Sequence, residues 1–173
     1  MVLGFEDMRA LSKGLSSDSP TVTRLGSRIV MQIALSLGWR IMSGVISVAL
    51  LRGDPLPEPL YCEIPDLLKT FYPNHRDDVI QLDKAVYGLQ DAPQKWYNRF
   101  ARDMNKIGAQ TCPLDPCIFC WYDEHKDFCG IVAVHVDDAR IAGNRQWYNE
   151  IFLRSTICRS GARGTKTTTS TRE

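Results

Sequence analysis

Between Asp91 and Gly143 the chain runs through one amphipathic stretch and three short apolar runs, an order that leaves few ways to fold. Asp91-Ala92-Pro93 supplies a capping acid and a proline suited to a first helical turn. Trp96, Tyr97, Phe100, Met104 and Ile107 then share one helical face, and Gly108 marks the end. Cys117-Ile118-Phe119-Cys120-Trp121-Tyr122 reads as a strand, followed by the polar turn Asp123-Glu124-His125-Lys126-Asp127. A second strand is expected from Phe128 to Val136, and a third apolar piece from Ala139 stops at Gly143-Asn144. Asp137 and Asp138 fall between these two runs, at a hairpin tip. A last helix is expected from Gln146 to Cys158.

Upstream, residues 1–23 are loop-like, with Ser16-Ser17-Asp18-Ser19-Pro20 as a turn. Leu25, Ile29, Ile33 and Leu37 recur every four residues and end at Gly38, which predicts a helix with those side chains as its buried stripe. The run from Ile41 begins as a strand and ends at Gly53-Asp54-Pro55. Five prolines between Pro55 and Pro73 leave room for little regular structure beyond an edge strand near Leu60-Tyr61-Cys62. Ile29 to Leu51 is long enough to cross a bilayer, with Arg40 as its only charge. Arg40 sits at its middle, however, where a charge costs about 2.5–3.5 kcal/mol even on a lenient insertion scale. Gly38-Trp39 also splits the run, so no membrane span is expected.

The 173 residues carry a net charge of +1, with 44% hydrophobic and 24% charged side chains. That balance suits one ordinary globular domain and argues against a strongly basic nucleic-acid binder or an acidic disordered chain. The charge is uneven along the chain. Arg159, Arg163, Lys166 and Arg172 against Glu173 give residues 159–173 a net +3, leaving −2 on residues 1–158. That tail has no large apolar residue and is expected to be disordered. Glu6, Asp7 and Arg9 precede any long apolar run, so no secretory signal is read, and an intracellular location, cytoplasm or nucleus, is expected. The six cysteines then read as free thiols. Cys112, Cys117 and Cys120 formally match an iron–sulfur spacing. Pro113 and Pro116 remove amides such a loop needs, and residues three apart on a strand face opposite sides. Small buried hydrophobes are the expected reading.

His135-Val136-Asp137-Asp138 carries the chemistry. Two adjacent carboxylates on an apolar hairpin repel each other, and a divalent cation such as Mg²⁺ relieves that repulsion. Solvated turn acids are the alternative, since aspartate is common in turns.

The segment Leu82-Asp83-Lys84-Ala85-Val86-Tyr87-Gly88-Leu89-Gln90-Asp91-Ala92-Pro93-Gln94-Lys95-Trp96-Tyr97 resembles a signature of copia-type retrotransposon reverse transcriptases, L-x-K-A-L-Y-G-L-K-Q-A-P-R-x-W-Y. Ile107-Gly108 with Asp115-Pro116-Cys117-Ile118-Phe119 is similar to the family's L-G-F and D-P-C-L-F segments. His135-Val136-Asp137-Asp138 with Gly143 resembles its Y-V-D-D hairpin. Asp18-Ser19-Pro20-Thr21, Gly38-Trp39 and Ala49-Leu50-Leu51-Arg52-Gly53 follow in the family's order. The resemblance covers residues 1–157. It implies an α+β fold, a palm of antiparallel strands backed by helices, with partial fingers and no thumb or ribonuclease H region. It implies RNA-directed DNA polymerase chemistry by two-metal nucleotidyl transfer, with Mg²⁺ as cofactor. RNA template, DNA primer and deoxynucleotides are the implied partners. Asp137 and Asp138 become the catalytic, metal-binding pair. Gly88, Leu89 and Gln90 become the loop against nucleotide and template, and Leu50 stands where the family places an aromatic that screens the sugar.

The departures matter as much. The family's first metal strand, D-[VI]-x-x-A-F-L-x-G, corresponds to Val45-Ile46-Ser47-Val48-Ala49-Leu50-Leu51-Arg52-Gly53, so the aspartate position is Val45. An isopropyl group cannot ligate Mg²⁺. Asp54, nine residues on and past a glycine turn, cannot substitute without a large rearrangement. Gln90-Asp91 replaces a Lys-Gln pair, and Arg140 stands where the family is apolar. The expectation is a truncated, catalytically dead copy, with residue 45 beside Asp137 and Asp138 on neighbouring strands. The alternative is a non-catalytic remnant that still binds nucleic acid through the palm groove and the basic tail.

Overall fold

The computed structural model describes residues 18–75 and 79–153. The N-terminal loop through Ser17, the end of the last helix at Cys158 and the tail 159–173 lie outside the described residues. The elements in chain order are helix α1 (Arg24–Ser36), strand β1 (Ile41–Val45), a 3₁₀ turn (Ala49–Arg52), β2 (Pro55–Glu63), α2 (Asp66–Phe71), β3 (Val79–Lys84) and α3 (Ala92–Lys106). They continue with β4 (Gln110–Thr111), β5 (Ile118–Tyr122), β6 (Phe128–His135), β7 (Asp138–Gly143) and α4 (Arg145–Trp147), which runs on as a π-helical turn (Tyr148–Phe152). The class is mixed α and β with antiparallel sheets. Among the described residues no helix is long and apolar enough to cross a membrane.

The described residues divide into two compact units, one from 20–49 and 100–153, the other from 18–19, 50–75 and 79–99. The first is built on a five-stranded antiparallel sheet in the order β1-β7-β6-β5-β4. The strand periodicity of two gives this sheet two apolar faces. Ile118, Ile131, Ala133 and Ala142 meet Val30 and Ala34 of α1 on one face. On the other, Phe119 meets the edge of Phe100 from α3, with ring centroids 5.5 Å apart. The second unit holds the antiparallel pair β2–β3 and a small cluster of Ala85, Leu89 and Ala92, packed by Leu50, Leu56, Leu60 and Val86.

Helix α1 starts and stops where the sequence places it: Gly38, at φ +65°, follows the Leu37 cap. Its buried face is not the expected one. Leu25, Ile29 and Leu37 are exposed, and Ile33 is half-buried, while Gly26, Ser27, Val30 and Ala34 are buried. The cause lies 92 residues away in Asp115, a carboxylate 4% exposed. The Thr23 amide and hydroxyl both donate to its Oδ2 at 2.9 Å, and the Thr23 oxygen in turn accepts the Gly26 amide at 2.9 Å. A β-carbon on Gly26 would collide with the same Asp115 oxygen. This anchor draws the small-residue side of α1 onto the sheet and turns the leucine stripe outward.

Asp115 also accepts the Cys117 amide at 3.1 Å, so one carboxylate ties two loops together. Asp115→Ala leaves those donors without their acceptor inside the protein, and hydrogen bonds to a charged group are worth roughly 1.5–3 kcal/mol. Urea unfolding is expected to show a loss of about 3 kcal/mol for Asp115→Ala. An unchanged midpoint would remove Asp115 from this role.

The proline-rich stretch holds more structure than its composition suggests. Pro55–Glu63 is a nine-residue strand, and Asp66–Phe71 follows as a helix whose N-cap, Pro65, makes no side-chain capping hydrogen bond. Among the described residues the strand pairs only with β3, so its prolines sit where no second neighbour needs their missing N–H. Helix α3 follows its sequence signals closely: Trp96, Phe100 and Met104 are at most 6% exposed, and Gly108 takes φ +87° after the end.

Candidate functional site

The β6–β7 hairpin closes through Val136 and Asp137, with His135 paired to Asp138. Val136 takes φ +57°, a region a β-branched residue rarely adopts, so the turn holds local strain at this point. On the other side of β7, Asp138 pairs with Val45 of β1, and the Ile46 amide donates to the Asp137 carbonyl at 2.8 Å. That bond pattern makes Val45 and Asp138 a non-hydrogen-bonded pair, in which Cα atoms stand about 4.5 Å apart and side chains are closest. Residue 45 therefore lies directly against Asp138 and one residue from Asp137. Asp138 is exposed, Asp137 is half-buried, and Val45 is 51% exposed.

The donor set does not suit a two-ion centre. Across the strand pair, two carboxylates face an isopropyl group, and among the described residues no three His, Cys, Asp or Glu side chains converge as ligands. The described cysteines are free thiols. Burial, with the Asp115 charge adding, pushes the Cys117 thiol up to about 12; burial, with Cys112 adding, pushes Cys120 up to about 11. Both stay protonated at neutral pH, which makes them poor nucleophiles and poor metal ligands.

The other expected site residues lie in the second unit. Gly88 turns at φ +103° and is exposed with Gln90. Leu89 is 4% exposed and packs with Leu50 in the small apolar cluster. The turn thus presents Gly88 and Gln90 to solvent and uses the two leucines as its floor.

The family model of the reverse transcriptase (RNA-dependent DNA polymerase) matches residues 2–152. The chain belongs to that family. It is 32% identical over 146 residues to the retrovirus-related Pol polyprotein from transposon TNT 1-94 of Nicotiana tabacum, which covers 83% of this chain and 10% of that protein. It is 29% identical over 126 residues to the Pol polyprotein from transposon RE1 of Arabidopsis thaliana, covering 73% and 8%. With the RE2 polyprotein of the same plant it shares 28% over 139 residues, covering 80% and 9%. The chain spans at most a tenth of the length of these curated relatives. No solved structure matches it. The resemblance read from the motifs to the reverse transcriptase domain of a retrotransposon Pol polyprotein is borne out.

Sequence reasoning missed the residues that complete the site. A cavity of about 860 Å³ opens beside Val45 and Asp138, lined also by Thr23, Arg24, Ser27, Arg28 and Arg140. The i, i+4 spacing of Arg24 and Arg28 put them on one helical face, but only the Asp115 anchor shows which way that face points.

Proposed function

We propose that this chain is a palm fragment of a copia-type reverse transcriptase in which two-metal nucleotidyl transfer has been lost. Residues 1–158 form the palm with part of the fingers, and 159–173 form a separate basic tail. One observation carries the reading: Val45 stands opposite Asp138, at the point on β1 where a carboxylate would complete a ligand set. Asp137 and Asp138 are the surviving pair; Gly88, Leu89, Gln90 and Leu50 form the nucleotide and template side. RNA template, DNA primer and deoxynucleotides are the partners for which this surface was shaped. Two carboxylates facing an isopropyl group do not make a ligand set for two Mg²⁺ ions.

Primer extension tests this directly. With a DNA primer on an RNA template, Mg²⁺ and all four deoxynucleotides, the wild-type chain is expected to add no nucleotide above a protein-free control. Robust extension would overturn the loss of activity.

A further inference from the structure

Helix α1 turns its small residues inward and its large ones outward. Gly26, Ser27, Val30 and Ala34 are its buried residues, and Val30 and Ala34 pack on the sheet. On the other side Leu25 is 68% and Leu35 66% exposed, and Ile29 and Leu37 are exposed with them. The helical period of about 3.6 residues gathers Leu25, Arg28, Ile29, Gln32 and Leu35 on this outward side. Single exposed leucines are ordinary, but a contiguous set on one helix face marks an interaction surface. The patch continues past Leu37. There the Trp39 ring lies 5.3 Å from that of Phe128, which in turn lies 5.6 Å from the exposed Tyr122.

The charges flanking this face say what covers it. Arg24 and Arg28 stand near the start of α1, where the backbone dipole disfavours cations, and the last turn, where it would favour them, has no base. Beyond that last turn, the β5–β6 turn leading into Phe128 carries Asp123, Glu124 and Asp127 against Lys126. The face thus has a positive end, an apolar middle and a negative end. A basic segment would suit only the acidic end and an acidic segment only the arginines. The same face turned end for end suits both, which is the condition for a two-fold contact between identical surfaces. With the two-fold axis across residue 30, the midpoint of Arg24–Ser36, Leu25 of one copy meets Leu35 of the other. Arg24 of each copy then lies at the carbonyl end of the other copy's helix, where a cation is favourable.

We infer that the outward face of α1 binds a second copy of this chain, with the two helices antiparallel. The inference does not rest on the palm assignment. A helix of 13 residues, about 20 Å long, offers less than the roughly 800 Å² per partner of a standard interface, so association is expected in the micromolar range.

Sedimentation equilibrium of the full chain tests this, because it reads mass and is independent of primer extension. The wild type is expected to move from the mass of one chain towards that of two as concentration rises through the micromolar range. Leu25→Glu and Leu35→Glu are each expected to weaken association at least tenfold. Both side chains are exposed, so the substitutions leave the fold intact, which circular dichroism checks. Leu67→Glu, at an equally exposed leucine on α2, is expected to change association less than twofold. Arg24→Gln reports the orientation. In the antiparallel pair it removes a cation from the carbonyl end of the second helix and weakens association. In a parallel pair the arginines would face each other, and the same change would tighten it. A wild type that stays monomeric to millimolar concentration would overturn the dimer and give the face to another partner. Equal weakening by Leu67→Glu, indifference to Leu25→Glu, or tightening by Arg24→Gln would each overturn the antiparallel contact as well.

Discussion

Gly143→Ala is expected to cost this fold on the order of 3 kcal/mol or more, the upper end of what overpacking a core does. Gly143 and Gly130 face each other across β7 and β6, and the indole of Trp147 lies over both. A β-carbon on Gly143 would run into Cε3 of that ring, with Cζ3 at 2.7 Å and the Cys129 carbonyl at 2.9 Å; on Gly130 it would meet the Cε2 and Cδ2 atoms. The ring cannot move aside. Trp147 is 2% exposed, with Trp121 at 5.2 Å and Phe152 at 5.8 Å between ring centroids, and the Cys129 contact is backbone. The requirement at these glycines is therefore space and not backbone freedom, since neither takes a positive φ. Denaturant unfolding followed by tryptophan fluorescence measures the loss. On a Trp147→Ala background the added cost of Gly143→Ala is expected to fall below about 1 kcal/mol, because the obstacle is gone. A Gly143→Ala protein as stable as wild type would show that the indole does not lie on the strand pair.

How legible the fold was depended on how local its causes are. Helix α3 has its start, stop and buried face within one segment: Pro93, Gly108 and the large side chains of Trp96, Phe100 and Met104. The β6–β7 hairpin is equally local, since two apolar runs flank one acidic tip. Helix α1 was readable as a helix, but its orientation was not, because the deciding contact is with Asp115, 92 residues on. A stripe of large residues normally wins the interior; here the Thr23–Asp115 bonds and the absence of a side chain on Gly26 gave it to Val30 and Ala34. Strand β3 escaped notice for a related reason. Val79–Lys84 is six residues with little burial, and its partner β2 begins Pro-Leu-Pro-Glu-Pro, a composition that argues against strands unless they lie at an edge. The site divides along the same line. Val45, Asp137 and Asp138 were marked by motif order, whereas Arg24 and Arg28 enter the cavity only through the rotation of α1.

Val45→Asp is expected to turn a metal-indifferent chain into one whose stability depends on a divalent cation. The substituted carboxylate would stand in the closest type of antiparallel pair with Asp138, and next to Asp137 in the turn. Without metal the change is unfavourable: like charges directly opposite destabilise a strand pair by up to about 1 kcal/mol, and exchanging valine for aspartate in a strand costs on the order of 1 kcal/mol more. With metal, three carboxylates supply the oxygen donors that two cannot. Binding at a hundred times the dissociation constant stabilises by about 2.7 kcal/mol, which for a chain of this size raises the melting temperature by roughly 5–10 °C. Thermal unfolding in EDTA and in millimolar Mn²⁺ reads both halves. The variant is expected to melt below wild type in EDTA and to recover in Mn²⁺, while wild type moves by no more than about 2 °C. Asn at the same position separates ligation from packing, because it removes the isopropyl group without adding a charge. An aspartate variant that melts at one temperature with and without Mn²⁺ would mean that residue 45 is not where the missing ligand belongs.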